Sequence, residues 1–426
     1  MASIGAAVEI LMSRECIEYS ALVLHRDLEQ VVRLIAKTVR RGQASEEYLL
    51  PALQGVADDV LQWQHPGRLL PELVHQTAYG ATGLGNRMFC PVGRLRRLRL
   101  VADDYRKVFY RSERMVFSAV GIAHGEAVRL AEKYFGDMER GPKNGPSVAQ
   151  VVAPPPPPRG ILQRIPILKL LVGLFTSFPP PLSVPDIPAP NPFATTYTGG
   201  TLRQPHNFIH SKHIRKTTAV AVAFQSPSLA HPDRPVILVL KAILGGGSSF
   251  SAGGPGKGLS SRLYKSFLAP YGYLLQTCEV LDAAYSDSGL FGAVASSDHR
   301  WAARFLFRLL LLQIAVLLKG VTANEVRRAK AMAKSEVLMQ TETKAGALKN
   351  LNRMVSATGR KWDVAREIDR VTLADVTRVA EMVFRGKMDG VGKPTVVVLG
   401  RRSETKRLQD DFVEQEMRKL GLGRYD

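Results

Sequence analysis

Apolar residues along the chain fall into runs whose spacing switches between strand and helix. Tyr19-Ser-Ala-Leu-Val-Leu-His-Arg-Asp27 precedes an apolar helix that begins near Leu28. The same order returns at Gly289-Leu-Phe-Gly-Ala-Val-Ala-Ser-Ser, followed by Asp298 and a helix near Trp301. A second motif reads as a short helix followed by a buried strand ending at glycine. It occurs as Asp104-Tyr-Arg-Lys-Val-Phe before Met115-Val-Phe-Ser-Ala-Val-Gly121, and as Asp375-Val-Thr-Arg-Val-Ala before Thr395-Val-Val-Val-Leu-Gly400. Asp27 and Asp298 are separated by 271 positions, as are Asp104 and Asp375. One offset shared by two motifs predicts a duplicated α+β domain.

That offset aligns residue 1 with residue 272, whereas the second copy opens near Thr198. The first copy is therefore expected to lack an opening segment of about 70 residues, exposing a sheet edge and part of a core. Between the copies, Pro154 to Pro158 and the prolines at 179–181, 185, 188, 190 and 192 predict an extended connection. The expected divisions are 1–150, a proline-rich linker at 151–195, and 196–426. The apolar island ILQRIPILKLLVGLF inside the linker carries Pro166, Arg164 and Lys169, which suits local packing rather than a membrane span. Phe305 to Leu318 is too short to span and contains Arg308 and Gln313.

With 58 Lys plus Arg against 38 Asp plus Glu, the net charge of +20 favours acidic partners. The basic residues are dispersed, however, and the densest run, Arg94-Leu-Arg96-Arg97-Leu-Arg99, has no interleaved aromatics; no nucleic-acid module is expected. Cys16, Cys90 and Cys278 are odd in number and far apart, which encodes neither a disulfide framework nor a zinc ribbon. The first residues show neither a secretory signal nor an Arg- and Ser-rich presequence.

The chemistry concentrates in LGGGSSFSAGGPGKG, Leu244 to Gly258. As a phosphate loop it fails. Relative to Lys257, Ser251 stands where the first Walker glycine belongs and Gly258 where a Ser or Thr must hold magnesium. The spacing of Gly254, Gly256 and Gly258 is also wrong for a dinucleotide turn.

Together, GGGSSFSAGGPGKGLSSRLY (245–264), YTGG (197–200), VAVAF (220–224), YSDSGLFG (285–292), PELVHQTAYG (71–80) and the stretch 104–138 resemble the pitrilysin-like (M16) metallopeptidase family. The loop is similar to that of the family's alpha-type subunits. The resemblance implies two homologous M16-type domains of mixed or antiparallel sheet with helices, the first lacking its opening segment. It further implies a clam-shaped heterodimer in the mitochondrial matrix, in which a zinc-bearing beta subunit cuts presequences of imported precursors. The present chain would be its non-catalytic partner, binding presequences through Gly245, Gly246, Gly247, Ser248, Ser249, Phe250, Ser251, Gly253, Gly254, Pro255, Gly256, Lys257 and Gly258, with Glu342. Backbone without Cβ atoms lets amides and carbonyls approach an extended peptide. Basic presequences need acidic spots, for which Glu279, Asp282, Asp287, Glu336 and Glu342 are candidates; Lys349-Asn350 departs from the alpha-type acidic pair.

The family's zinc site needs His-x-x-Glu-His and a distal carboxylate. His210-Ser-Lys-His213 has no intervening glutamate, His124-Gly-Glu126 lacks a second histidine, and Asp58 or Asp59 would stand alone as the distal ligand. No metal is expected in this chain. The competing reading on the same fold is a core subunit of the respiratory cytochrome bc1 complex, and a nucleotide-binding protein is a third.

Overall fold

The computed structural model describes residues 5–41, 55, 66–80, 83–88, 105–106, 109–138, 195–205, 217–248, 260–300, 302–359, 362–388 and 390–425. The proline-rich stretch up to residue 194, the arginine run at 94–99, Asp58, Asp59, Cys90, His206, His210 and His213 lie outside them. In chain order the elements begin with β1 (Ala7–Met12), β2 (Ile17–Leu22), α1 (Leu28–Arg41), α2 (Pro66–Tyr79) and α3 (His124–Phe135). Next come β3 (Gly200–Pro205), β4 (Thr218–Ser226), α4 (Arg234–Leu244), β5 (Gly246–Ser248), β6 (Thr277–Ala284) and β7 (Gly289–Ser297). The rest are α5 (Ala302–Leu318), α6 (Ala323–Gln340), α7 (Lys344–Thr358), α8 (Val364–Arg370), α9 (Leu373–Phe384), β8 (Thr395–Gly400) and α10 (Asp410–Leu420).

Two compact units form, and they do not follow chain order. One joins Met1–Leu61, Met88–Thr176 and Thr341–Ser356; the other joins Gln62–Arg87, Ser177–Gln340 and Ala357–Asp426. A division at residues 150 and 195 groups two segments differently. The reason for the first is burial. α2 sets Leu69, Leu70, Leu73, Val74, Ala78 and Tyr79 against one face of the larger unit's sheet, where Leu202, Ala219, Ala221, Ala223, Leu290, Val397 and Leu399 are buried with them. The second, Thr341–Ser356, carries Lys349 and Asn352 to carboxylates of the smaller unit.

Among the described residues the larger unit's sheet has six strands in the order β3-β8-β4-β7-β6-β5. Only β3–β8 is parallel; the other pairings are antiparallel. Both faces of its centre are covered, so β4 reads as an unbroken apolar run, TAVAVAFQS. Its alanines at 219, 221 and 223 face α2, and Phe224 stands on the opposite face edge-on to Phe384 of α9 at 5.2 Å between ring centroids. Small side chains on one face let α2 approach closely, while larger ones fill the space under the helices. β7, β8, α5 and α9 lie where the apolar pattern puts them, and α9 begins with a capping box between Thr372 and Asp375.

In the smaller unit β1 and β2 form an antiparallel pair. Val8/Ala21, Ile10/Tyr19 and Met12/Ile17 are cross-strand neighbours on one apolar face, and Ile10 and Met12 are each 59% exposed. Lys349 of α7 pairs with Glu9 at 3.0 Å, and Asn352 donates to Glu18 at 2.9 Å. α1 and α3 are tied by Lys133, which donates to Glu29 at 2.5 Å. Met115–Gly121 corrects an expectation: it forms no strand, and Val116, Phe117 and Val120 are exposed. A strand needs a ladder partner, and among the described residues β1 and β2 pair only with each other.

Candidate functional site

The glycine-rich segment begins at the edge of the larger unit's sheet. α4, RPVILVLKAIL, is buried along most of its length and ends at Gly245, whose N–H donates to Lys241 O at 2.7 Å. Gly245 has φ +58° and Gly246 φ +117°, backbone conformations that L side chains rarely adopt. The chain then forms β5, in which Gly246, Gly247 and Ser248 lie opposite Glu279, Cys278 and Thr277 of β6.

Both glycines are required by close approach as well as by φ. A Cβ on Gly246 would meet Cys278 O at 2.2 Å and Glu279 Cα at 2.9 Å; one on Gly245 would meet Ser261 Cβ at 2.3 Å. Since Ser261 lies just past the far end of the segment, the two stems touch each other. Ser249, Phe250, Ser251, Gly253, Gly254, Pro255, Gly256, Lys257 and Gly258 lie outside the described residues.

The returning stem is clamped. Arg262 Nε donates to Glu325 Oε1 at 2.9 Å, and Nη2 donates to Glu325 Oε2 at 3.1 Å and to Gly320 O at 2.8 Å. Glu325 also accepts from the Thr322 N–H at 2.9 Å and hydroxyl at 3.0 Å at the start of α6. The Arg262 guanidinium, ahead of the Thr322 bonds, lowers the Glu325 carboxyl to about 2. Buried Leu263 anchors the next position.

The acidic candidates take different roles. Glu279 is exposed beside the outgoing stem, opposite Gly246. Asp282 is a correction: its side chain is largely covered and accepts from Arg234 Nη1 at 2.7 Å and Nη2 at 2.8 Å, so its charge is already matched. Glu336 pairs with Lys241 at 2.7 Å, and Asp287 accepts from the Thr195 N–H at 3.2 Å. Glu342 is exposed in the bend before α7 and belongs to the other compact unit, so the structure does not join it to the stems. Cys278 is buried, and burial pushes its thiol up to about 12, leaving it without thiolate character at neutral pH.

The described histidines do not fit zinc. His75 Nδ1 donates to Pro71 O at 2.6 Å and Nε2 hydrogen-bonds the Tyr285 hydroxyl at 2.7 Å, engaging both ring nitrogens. His231 Nδ1 accepts from the Asp233 N–H at 3.0 Å, and His25 Nε2 stands 3.3 Å from Glu126. Among the described residues no three His, Cys, Asp or Glu gather as a metal site. No single described helix is long and apolar enough to cross a membrane.

Sequence reasoning missed the Arg262–Glu325 clamp and the Arg234–Asp282 pair. Their partners are 63 and 48 positions apart, and the only local signal was the helix start at Ser-Arg-Leu-Tyr.

Comparison with known proteins agrees with this architecture. Residues 101–333 match the family model described as Peptidase M16 inactive domain. The chain is similar to mitochondrial-processing peptidase subunit alpha of Neurospora crassa, with 32% identity covering 99% of this chain and 79% of that protein. It is 29% identical to the probable Schizosaccharomyces pombe subunit alpha, covering 92% and 71% of the two chains. For the Homo sapiens subunit alpha the identity is 27%, covering 93% and 68%. Among solved structures, a chain of Complex III2 from Candida albicans superposes with a TM-score of 0.69 over 97% of this chain and 86% of that one; at 14% identity this shows the fold alone.

Proposed function

The chain belongs to the M16 peptidase family, and from that membership we propose that it is the non-catalytic, substrate-holding alpha subunit of a mitochondrial-processing peptidase. Its partner is a zinc-bearing beta subunit, and its ligands are the presequences of imported precursors in the mitochondrial matrix. The zinc belongs to the partner; His75 and His231 of this chain are engaged in bonds that suit structure rather than metal binding. The observation that carries the reading is the pair of stems. Gly245 and Gly246 sit where a Cβ would overlap Ser261 and the Cys278 carbonyl, and they launch the glycine- and serine-rich segment 249–259 from a sheet edge. Anchored ends with a side-chain-poor middle suit gripping an extended polypeptide through its backbone.

The test removes Ser249–Gly258 and leaves both stems. Cleavage of a fluorogenic presequence peptide by the co-purified pair is expected to be lost while association with the beta subunit persists. Unchanged cleavage refutes the role. The likeness to a Complex III2 chain favours one second reading, a core subunit of the cytochrome bc1 complex. Co-purification with cytochrome subunits, in place of a zinc-bearing M16 partner, would establish it.

A further inference from the structure

Both ends of the glycine-rich segment are tied to one helix, α6. On the outgoing side, Lys241 in the last turn of α4 donates from Nζ to Glu336 Oε1 at 2.7 Å. Its carbonyl accepts the Gly245 N–H at 2.7 Å, so this one residue joins α6 to the first glycine. On the returning side, Arg262 is held by both carboxylate oxygens of Glu325. Ala242, Ile243 and Ser260 line one small cavity with Ala329 and Met332 of α6. Glu325 and Glu336 are 11 positions apart on the helix. That is about three turns, so the two carboxylates leave one face of α6 roughly 16 Å apart along its axis.

Stability alone is a poor account of these pairs. A largely buried ion pair loses to desolvation much of what its attraction gains, and Arg262 Nη1 is buried without a partner among the described residues. The Lys241–Glu336 pair is partly exposed and screened, so it adds little to the fold. What both pairs supply is place. Gly245 and Gly246 occupy backbone regions that leave the direction of the segment to its surroundings. A loop whose ends wander must be ordered each time it grips a peptide, and that ordering weakens binding.

We infer that Glu325 and Glu336 are positioning residues: through Arg262 and Lys241 they hold the two stems against α6 and so set where the glycine segment meets its peptide. This rests on the substrate-holding role argued above and adds what orients the loop. It also reassigns Glu336. Expected from sequence to attract a basic presequence, it instead engages the protein's own lysine.

The test is steady-state cleavage of a fluorogenic presequence peptide by the co-purified pair of subunits. Glu336→Gln removes a negative charge and Lys241→Met a positive one. A carboxylate that attracts the basic peptide directly predicts opposite shifts in KM. Positioning predicts that each variant raises KM about threefold with kcat unchanged, and that the double variant does no more than either. Lys241→Arg, which keeps the ion pair, is expected to retain the parental KM. Glu325→Gln, at the less exposed pair, is expected to raise KM about tenfold. Thermal unfolding and association with the beta subunit check that each variant is folded at the assay temperature. The exposed 241/336 pair carries the test should Glu325→Gln fail to fold. Opposite shifts for Glu336→Gln and Lys241→Met, a parental KM in every variant, or a fall in kcat at unchanged KM overturns the inference. If deletion of 249–258 still abolishes cleavage in that case, the loop's role stands without it. If the deletion leaves cleavage intact, the substrate-holding reading itself fails and takes the inference with it.

Discussion

Gly245→Ala is expected to destabilise the larger unit, and Ser261→Gly to return part of the loss. An ideal Cβ on Gly245 stands 2.3 Å from Ser261 Cβ and 2.5 Å from its Oγ, well inside van der Waals contact. Forcing that overlap costs ~1–3 kcal/mol, as overpacking does elsewhere. Holding alanine at φ +58° and ψ −136° adds ~1–3 kcal/mol. Removing the Ser261 side chain abolishes the first contribution and leaves the second, so a double-mutant cycle should give a coupling energy of ~1–3 kcal/mol. Gly246→Ala is the contrast. Its obstruction is backbone, the Cys278 carbonyl at 2.2 Å, which no side-chain deletion relieves. Thermal and urea unfolding of the single and double variants measure this, with a shift of ~2–4 °C expected per kcal/mol. A coupling below ~0.5 kcal/mol, or equal rescue of Gly246→Ala by Ser261→Gly, would refute the touching-stem geometry.

Two further outcomes are expected. Glu325 is held at about 2 against an ordinary 4.5, so its pairing contributes stability above 4.5 and loses it as pH falls towards 2. Arg262→Ala should therefore lower the thermal midpoint at pH 6 and differ little from the parent near the bottom of that window; a pH-independent deficit argues against the clamp. Asp282→Ala strands a buried guanidinium and should cost ~3–5 kcal/mol, while replacing Arg234 and Asp282 together with Met and Leu should cost much less. Equal losses in the single and double variants, measured by urea unfolding, would count against an isolated pair.

Elements with strong local patterns were legible. Thr395–Gly400 is buried at all six positions and is the strand that its unbroken apolar run implies. The glycine-rich segment could also be singled out, because its composition rejects helix and strand and its spacing rejects phosphate. Met115–Gly121 has the same appearance as Thr395–Gly400 but lacks a ladder partner, so propensity alone does not make it a strand. Asp282 looks free in sequence, and only folding brings Arg234 within 2.7 Å of it.

The sequence by itself determined the α+β class, the duplicated pattern, the family and the unusual glycine segment. All of these reside in composition, periodicity and motif, which are local. Tertiary structure alone decided that α2 belongs with the second sheet, that Gly245 meets Ser261, and that the outgoing glycine stem pairs with Thr277–Glu279 of β6. Those facts depend on which distant segments bury each other and in what register, and a linear pattern specifies each partner's face without naming the partner.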